Sequence, residues 1–376
     1  MEFVLNELQQ DFKEQTRKLL KRECTPERVR KLMATDTAHD ETLWKTMAEQ
    51  GWLGLTLPED FGGLGLGYVE LAVIAEEMGR ACLPGAFLAN VFASALIAEA
   101  GNASQKSQYL AGIASGELKA TVAFLEAGAQ WNPTTISFPA VHQDDQLLLT
   151  GQKLFVPDAE TADVIICVAR SNDQLVLIPV EKTSDGVQIK PMPAMDSTRK
   201  WYQVNFEGVS VPETVVLGAD GNSQAALERA VEVATIALCA EMVGGMQWVL
   251  ETAVEYAKVR HQFGKPIGSF QAVQHQCADM LLMTESARSA TLFAAWALSV
   301  NDPRATEAVS IAKAYCSDAY REVCHRGVQV HGGIGFTWEY DLQLYVKRSK
   351  SSEAFFGDAI YHRERIAQLI IDQGSK

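Results

Sequence analysis

The chain has 376 residues, of which 47% are hydrophobic and 21% charged, with a formal net charge of −14. That length supports two or three domains with cores of their own, and the composition excludes disordered and fibrous classes. The acidic balance argues against a nucleic-acid partner, whose phosphates need clustered Lys and Arg, but leaves room for a small anionic ligand at a local basic patch.

Three blocks follow in chain order. Residues 1–117 read as helical, interrupted by a glycine-rich stretch at 57–67. No strand precedes that stretch and its spacing is not G-x-G-x-x-G, so a structural turn is expected there, not a phosphate cradle. Residues 118–222 read as short strands, near 147–150, 164–169, 175–180 and 203–206. No helix long enough for a crossover separates them, which predicts an antiparallel barrel or sandwich. Residues 223–376 return to helix. Val273, Cys277, Met280 and Leu281 form one core-facing stripe, and Val309, Ala312, Cys316, Ala319 and Val323 a second. Small residues on such faces permit close packing in a bundle. The fold class is α+β, with helical, β and helical domains in that order.

The seven cysteines are scattered without a C-x-x-C pair, so free thiols in a reducing compartment are expected instead of disulfides or a zinc site. Glu2, Glu7 and Asp11 stand where a signal peptide has its basic and apolar regions. The longest apolar stretch, 233–240, stops at Glu241 and is too short for a membrane span. A cytoplasmic protein with no membrane partner is expected. No H-E-x-x-H or G-x-S-x-G pattern suggests a metal or a serine nucleophile.

The most specific pattern is Tyr256-Ala-Lys-Val-Arg-His-Gln-Phe-Gly-Lys-Pro-Ile-Gly-Ser-Phe-Gln271. It closely resembles the acyl-CoA dehydrogenase signature, and Gln329-Val-His-Gly-Gly-Ile-Gly-Phe336 resembles the glycine loop of the same family. Weaker matches are Leu57-Pro-Glu with Gly62, Gly63 and Gly65, Thr150-Gly-Gln-Lys153, and the run from Phe206 to Pro212. The resemblance implies a helical N-terminal domain, a β domain and a C-terminal four-helix bundle that bind FAD between subunits. It implies that Arg260 reaches a neighbouring subunit's FAD pyrophosphate, where a permanent cation suits clustered phosphate charge. Gln262, Phe263 and Gln271 match positions around the same cofactor, and Gln329, Gly332 and Gly333 match the loop along its adenosine end. An acyl-CoA substrate, an electron-transfer flavoprotein as acceptor, and a homo- or heterotetramer with a related subunit are implied as well.

The family removes a proton next to a thioester, which requires a carboxylate within hydrogen-bond reach. Aligned without gaps from Gly357, Phe356 stands where the usual glutamate base would be, and Asp358 where a cofactor-contacting threonine would be. The alternative family position, ten residues before Gly244, is Ala234. Glu241 is the remaining candidate, seven residues beyond Ala234 and roughly 10 Å along the helix axis. Glu353 is a weaker one. On the flavin-ring side, Leu125 and Pro157 replace hydroxyl-bearing residues. This pattern resembles the base-less subunit of heteromeric acyl-CoA dehydrogenases, such as those of bacterial steroid degradation. The alternatives are a self-sufficient homotetramer using Glu241, an acyl-CoA oxidase, and a non-catalytic scaffold.

Overall fold

Helical texture in the sequence gives way to strand texture where β-branched residues replace alanine and leucine, and the structure changes at the same places. The computed structural model describes residues 5–373 apart from Ala129 and Asp220, so Glu2 lies outside the described residues. Six helices come first: α1 (Glu7–Glu23), α2 (Pro26–Met33), α3 (Glu41–Glu49), α4 (Tyr68–Arg80), α5 (Phe87–Ala100) and α6 (Ala103–Ser115). Seven strands follow: β1 (Ala120–Ala123), β2 (Ala140–Gln143), β3 (Gln146–Pro157), β4 (Val164–Ser171), β5 (Gln174–Glu181), β6 (Val187–Met192) and β7 (Trp201–Pro212). The remainder is α7 (Ser223–Val259), a short hairpin of β8 (His261–Gln262) and β9 (Lys265–Pro266), α8 (Gln271–Ser299), α9 (Ala305–His331), α10 (Leu342–Ala354) and α11 (Ala359–Gln373).

These elements pack as two compact units, each discontinuous in sequence. One unit holds residues 31–66 and 84–234. Its strands form two sheets of order β1-β4-β5 and β2-β3-β7-β6 over one shared core that includes Phe138, Leu149, Ile165, Ile178, Val204 and Phe206. The expectation of purely antiparallel pairing needs correction, because β1 pairs with β4 in parallel. The β2–β3 hairpin, which belongs to the other sheet, serves as the crossover that a helix usually provides. The glycine-rich stretch is a turn. A single 3₁₀ turn, Glu59–Phe61, ends at Gly62 with φ 79°, and a Cβ on Gly63 would lie 2.0 Å from the Leu57 carbonyl oxygen.

The other unit holds residues 1–30, 67–83 and 235–376, so α1 and α4 pack with the C-terminal helices. Two glycines explain why. An added Cβ would meet the Glu241 oxygen at 1.8 Å from Gly79 on α4, and the Glu76 oxygen at 1.7 Å from Gly244 on α7. The two helices therefore cross at backbone contact. Glu76 and Glu77, both buried on α4, are compensated from α1: Lys13 Nζ donates to Glu76 at 2.9 Å, and Arg17 grips Glu77 through two bonds of 2.8 and 2.7 Å. On α9 the stripe Val309, Ala312, Cys316, Ala319 and Val323 is buried. On α8 Met280 is buried but Leu281 is 49% exposed, so the first stripe is narrower than expected. None of the seven cysteines, all among the described residues, forms a disulfide. Among the described residues one helix, α7, is long and apolar enough to cross a membrane, and 89% of its apolar window is buried inside the fold.

Substituting Gly244→Ala should force α4 away from α7 and cost about 3 kcal/mol, because the obstructing atom is backbone and cannot rotate aside. Urea denaturation monitored by circular dichroism measures this.

Candidate active site

The segment carrying Arg260 begins where α7 ends. β8 and β9 are joined by the two residues Phe263 and Gly264, with φ of 55° and 80°, the signature of a type I′ hairpin turn. Gly264 adopts that conformation without strain, whereas a phenylalanine does so at a cost. Phe263 is nevertheless 91% exposed, with an edge contact to Phe270 at 6.0 Å. Arg260 and Gln262 are exposed on this hairpin, and Gln271 is exposed as the first residue of α8.

The second motif lies at the end of α9. Gln329 is exposed on its last turn, and Gly332 and Gly333 open the 3₁₀ turn Gly332–Phe336. The two motifs meet through rings: His331 packs against Tyr256 of α7 at 4.6 Å and against Tyr340 at 5.0 Å. Burial lowers the His331 pKa, keeping the imidazole neutral between the two phenols. Gly332 has φ 63°. Gly333 has no positive φ, and a Cβ on it would meet nothing within 4 Å. Neither conformation nor packing inside the chain requires glycine at 333.

The segment 355–358 joins α10 to α11. Phe356 has φ 57°, is 0% exposed, and stacks on Phe355 at 4.0 Å with an interplanar angle of 16°. Two buried groups hold it from behind. Lys313, also 0% exposed, donates to the Ser317 hydroxyl at 3.0 Å, the Glu353 carbonyl at 3.0 Å and the Gly357 carbonyl at 2.7 Å. Burial pulls its pKa down to about 8. His362 Nε2 donates to the Phe356 carbonyl at 2.9 Å, and its Nδ1 has no hydrogen-bond partner among the described residues. Burial, with Lys313 nearby, lowers the His362 pKa to about 3. Asp358 accepts from the Tyr361 amide at 2.8 Å, capping α11. Neither Lys313 nor His362 was picked out from the sequence. The available signal was the place of Lys313 on the small-residue face of α9, between Ala312 and Cys316.

Ala234 is fully buried in mid-helix. Glu241 is buried and paired with Arg348, whose Nη2 also donates to the Leu83 carbonyl at 3.1 Å. Glu353 pairs with Arg321 and lies 3.5 Å from Lys350. In the β unit, Lys153 of the Thr150–Lys153 motif is buried and donates to Glu126 at 2.7 Å and to the Phe124 carbonyl at 3.1 Å. Burial raises the Glu126 pKa, but Lys153 and Ser137 outweigh it and the net shift is downward. Leu125 is half-buried, Phe155 is 49% exposed with φ 49°, and Pro157 is buried.

Comparison with known proteins bears on the family and the fold. The acyl-CoA dehydrogenase N-terminal domain matches residues 6–117, and the C-terminal domain matches residues 223–371. The acyl-CoA dehydrogenase IpdE2 of Mycolicibacterium smegmatis is 30% identical over 97% of this chain and 98% of its own length. The chain belongs to the acyl-CoA dehydrogenase family. It has the family's fold, with helical N-terminal, middle sheet and helical C-terminal domains, and the family is one of flavoprotein oxidoreductases acting on CH–CH bonds with FAD as cofactor. Among solved structures, a Tcur3481-Tcur3483 steroid ACAD is 30% identical with a TM-score of 0.89, covering 99% of this chain and 100% of that one. The ChsE4-ChsE5 complex of Mycobacterium tuberculosis is 26% identical with a TM-score of 0.89, covering 99% of each chain.

Two outcomes test the site. The fold keeps His362 neutral down to about pH 3, while an unfolded chain protonates it below its ordinary 6.5. Stability should therefore fall as pH drops from 6.5 toward 3, by up to about tenfold in the folding equilibrium per pH unit. His362→Gln should flatten that slope in denaturation series between pH 6.5 and 4. Separately, Glu241→Gln strands Arg348 and should lower stability by about 3 kcal/mol, with Arg348→Met added to it recovering part of the loss.

Proposed function

We propose that this chain is the base-less subunit of a two-subunit, FAD-dependent acyl-CoA dehydrogenase, paired with a related subunit that supplies the proton acceptor. The observation that carries the reading is the pinned turn at 355–358. A phenyl ring, not a carboxylate, occupies the position that the family resemblance gives to the base, and Lys313 and His362 hold the turn that bears it. A ring of carbon and hydrogen cannot take the thioester's α-proton. Glu241 is engaged by Arg348, which disfavours a relocated base in a self-sufficient enzyme.

The dinucleotide half fits retained function. Bound FAD supplies the hydride acceptor of the reaction. In this reading Arg260 pairs with its pyrophosphate, and Gln329, Gly332 and Gly333 border its adenosine end, where the absent Cβ leaves the backbone approachable. Gln262, Phe263 and Gln271 line the same place. Phe263 and Phe336, 91% and 82% exposed, give the surround an apolar surface suited to a second subunit. Electrons pass to an electron-transfer flavoprotein. The acyl-CoA comes from steroid or fatty-acid breakdown, and the likeness to a steroid ACAD favours the steroid class.

The chain purified alone should carry little flavin and should not reduce an artificial acceptor with acyl-CoA. Co-expressed with its base-bearing partner, it should form a complex that holds FAD and turns over. In that complex Arg260→Met should weaken FAD binding about 10- to 100-fold, the worth of a charge-assisted bond. Gly333→Ala should weaken it too while leaving the melting temperature unchanged. Robust turnover by the isolated chain would overturn the proposal.

A further inference from the structure

The glycine loop is fixed at both ends and open in the middle. At its start, His331 is wedged between Tyr256 and Tyr340, with its Nδ1 2.7 Å from the Gly327 carbonyl. At its far end a single guanidinium from α2 gathers the segment that leads into α10. Arg30 Nε and Nη2 both donate to Asp341 Oδ1, at 3.2 and 2.9 Å. Its Nη1 donates to the Trp338 carbonyl at 2.8 Å and its Nη2 also to the Glu339 carbonyl at 3.2 Å. Lys347 sits 3.8 Å over the Trp338 ring, holding the same segment from α10. Between these anchors Gly332, Gly333 and Ile334 are exposed, as is Phe336.

Four directional bonds from one planar cation to Trp338, Glu339 and Asp341, all within one four-residue stretch, are more than a surface ion pair needs. Two of the acceptors are main-chain carbonyls, so the clamp sets the path of the backbone as well as a side chain. Arg30 itself lies on another helix, at the far end of the segment from the two glycines. A loop with exposed glycines has many conformations to lose on binding, and fixing it beforehand lowers that cost.

We infer that Arg30 is a positioning residue for dinucleotide binding: it pre-sets the loop that carries Gly332 and Gly333 without touching the ligand. This rests on the reading of that loop as the adenosine side of the FAD site.

The experiment compares Arg30→Met, Arg30→Lys and Asp341→Asn with the wild-type full chain. Hydrogen–deuterium exchange of amides 332–341 is followed without added nucleotide, and FAD affinity is followed by flavin fluorescence in the complex with the co-expressed partner. Arg30→Met should speed exchange at 334–341 by about tenfold, leave the body of α9 protected, and weaken FAD by about tenfold. Arg30→Lys, which keeps the charge but loses the fork, should fall between, and it decides the matter should Arg30→Met not fold. Unchanged exchange would overturn the inference. So would a lower melting temperature with FAD affinity within twofold of wild type, which is what a merely structural tie predicts. A wild-type complex that binds no FAD would instead bring down the functional reading, while the exchange rates would still report whether Arg30 holds the loop.

Discussion

A buried ammonium governs this molecule. Lys313 Nζ has no exposure and satisfies its charge with one hydroxyl and two main-chain carbonyls, those of Glu353 and Gly357. Removing an ammonium from water costs several kcal/mol unless acceptors surround it, so the turn cannot shift without stranding the charge. The same turn carries Phe356, whose carbonyl takes a further bond from His362. Charging His362 would add a second N–H at Nδ1, a buried atom with no acceptor among the described residues. Burial therefore keeps the histidine neutral, and a neutral histidine keeps the turn in place. Phe356, which the family resemblance aligns with the base, is thus among the least free residues in the unit.

The glycines sort by cause, and the sorting separates what the chain needs for itself from what it offers outward. Gly79 and Gly244 are required by the crossing of α4 over α7, and Gly63 by its own turn. Gly245 is required by the Tyr320 hydroxyl, 2.2 Å from where a Cβ would stand. At Gly333 nothing inside the chain demands the residue. A backbone kept bare without an internal reason is the feature expected where a ligand or another chain must come close.

Much of this was legible in the sequence, for reasons that can be named. Helix, strand and helix texture follow local composition, and the two motifs are contiguous, so their residues stay together whatever the topology. The parallel β1–β4 pair was hidden because Ala120–Ala123 carries only four residues and its partner lies beyond an intervening hairpin. Leu281 looked buried because a stripe of apolar residues does not say how wide the covering neighbours are. Lys313 escaped notice because lysine is ordinarily a solvated residue, and only its acceptors, forty and forty-four positions away, make it an internal one. Arg30 and Asp341 are 311 positions apart, and no local pattern couples them.

Phe155, Phe263 and Phe356 all carry the left-handed backbone that ordinarily suits glycine, and the last two differ in what offsets the strain. Phe356 is repaid internally, by complete burial, a stacked neighbour and the bond from His362. Phe263 has a two-residue hairpin and one edge contact, with nearly its whole ring in water. The strained backbone costs the isolated chain free energy, and the ring, as exposed as in an unfolded chain, offsets none of it. Glycine at 263 would remove the strain. On the proposed reading, burying the ring against FAD and a second subunit would offset it. The same reasoning does not apply at Phe356, where the recovery is already made within the fold. On the proposed reading, one aromatic closes a site from inside, and the other waits at a surface that a second subunit completes.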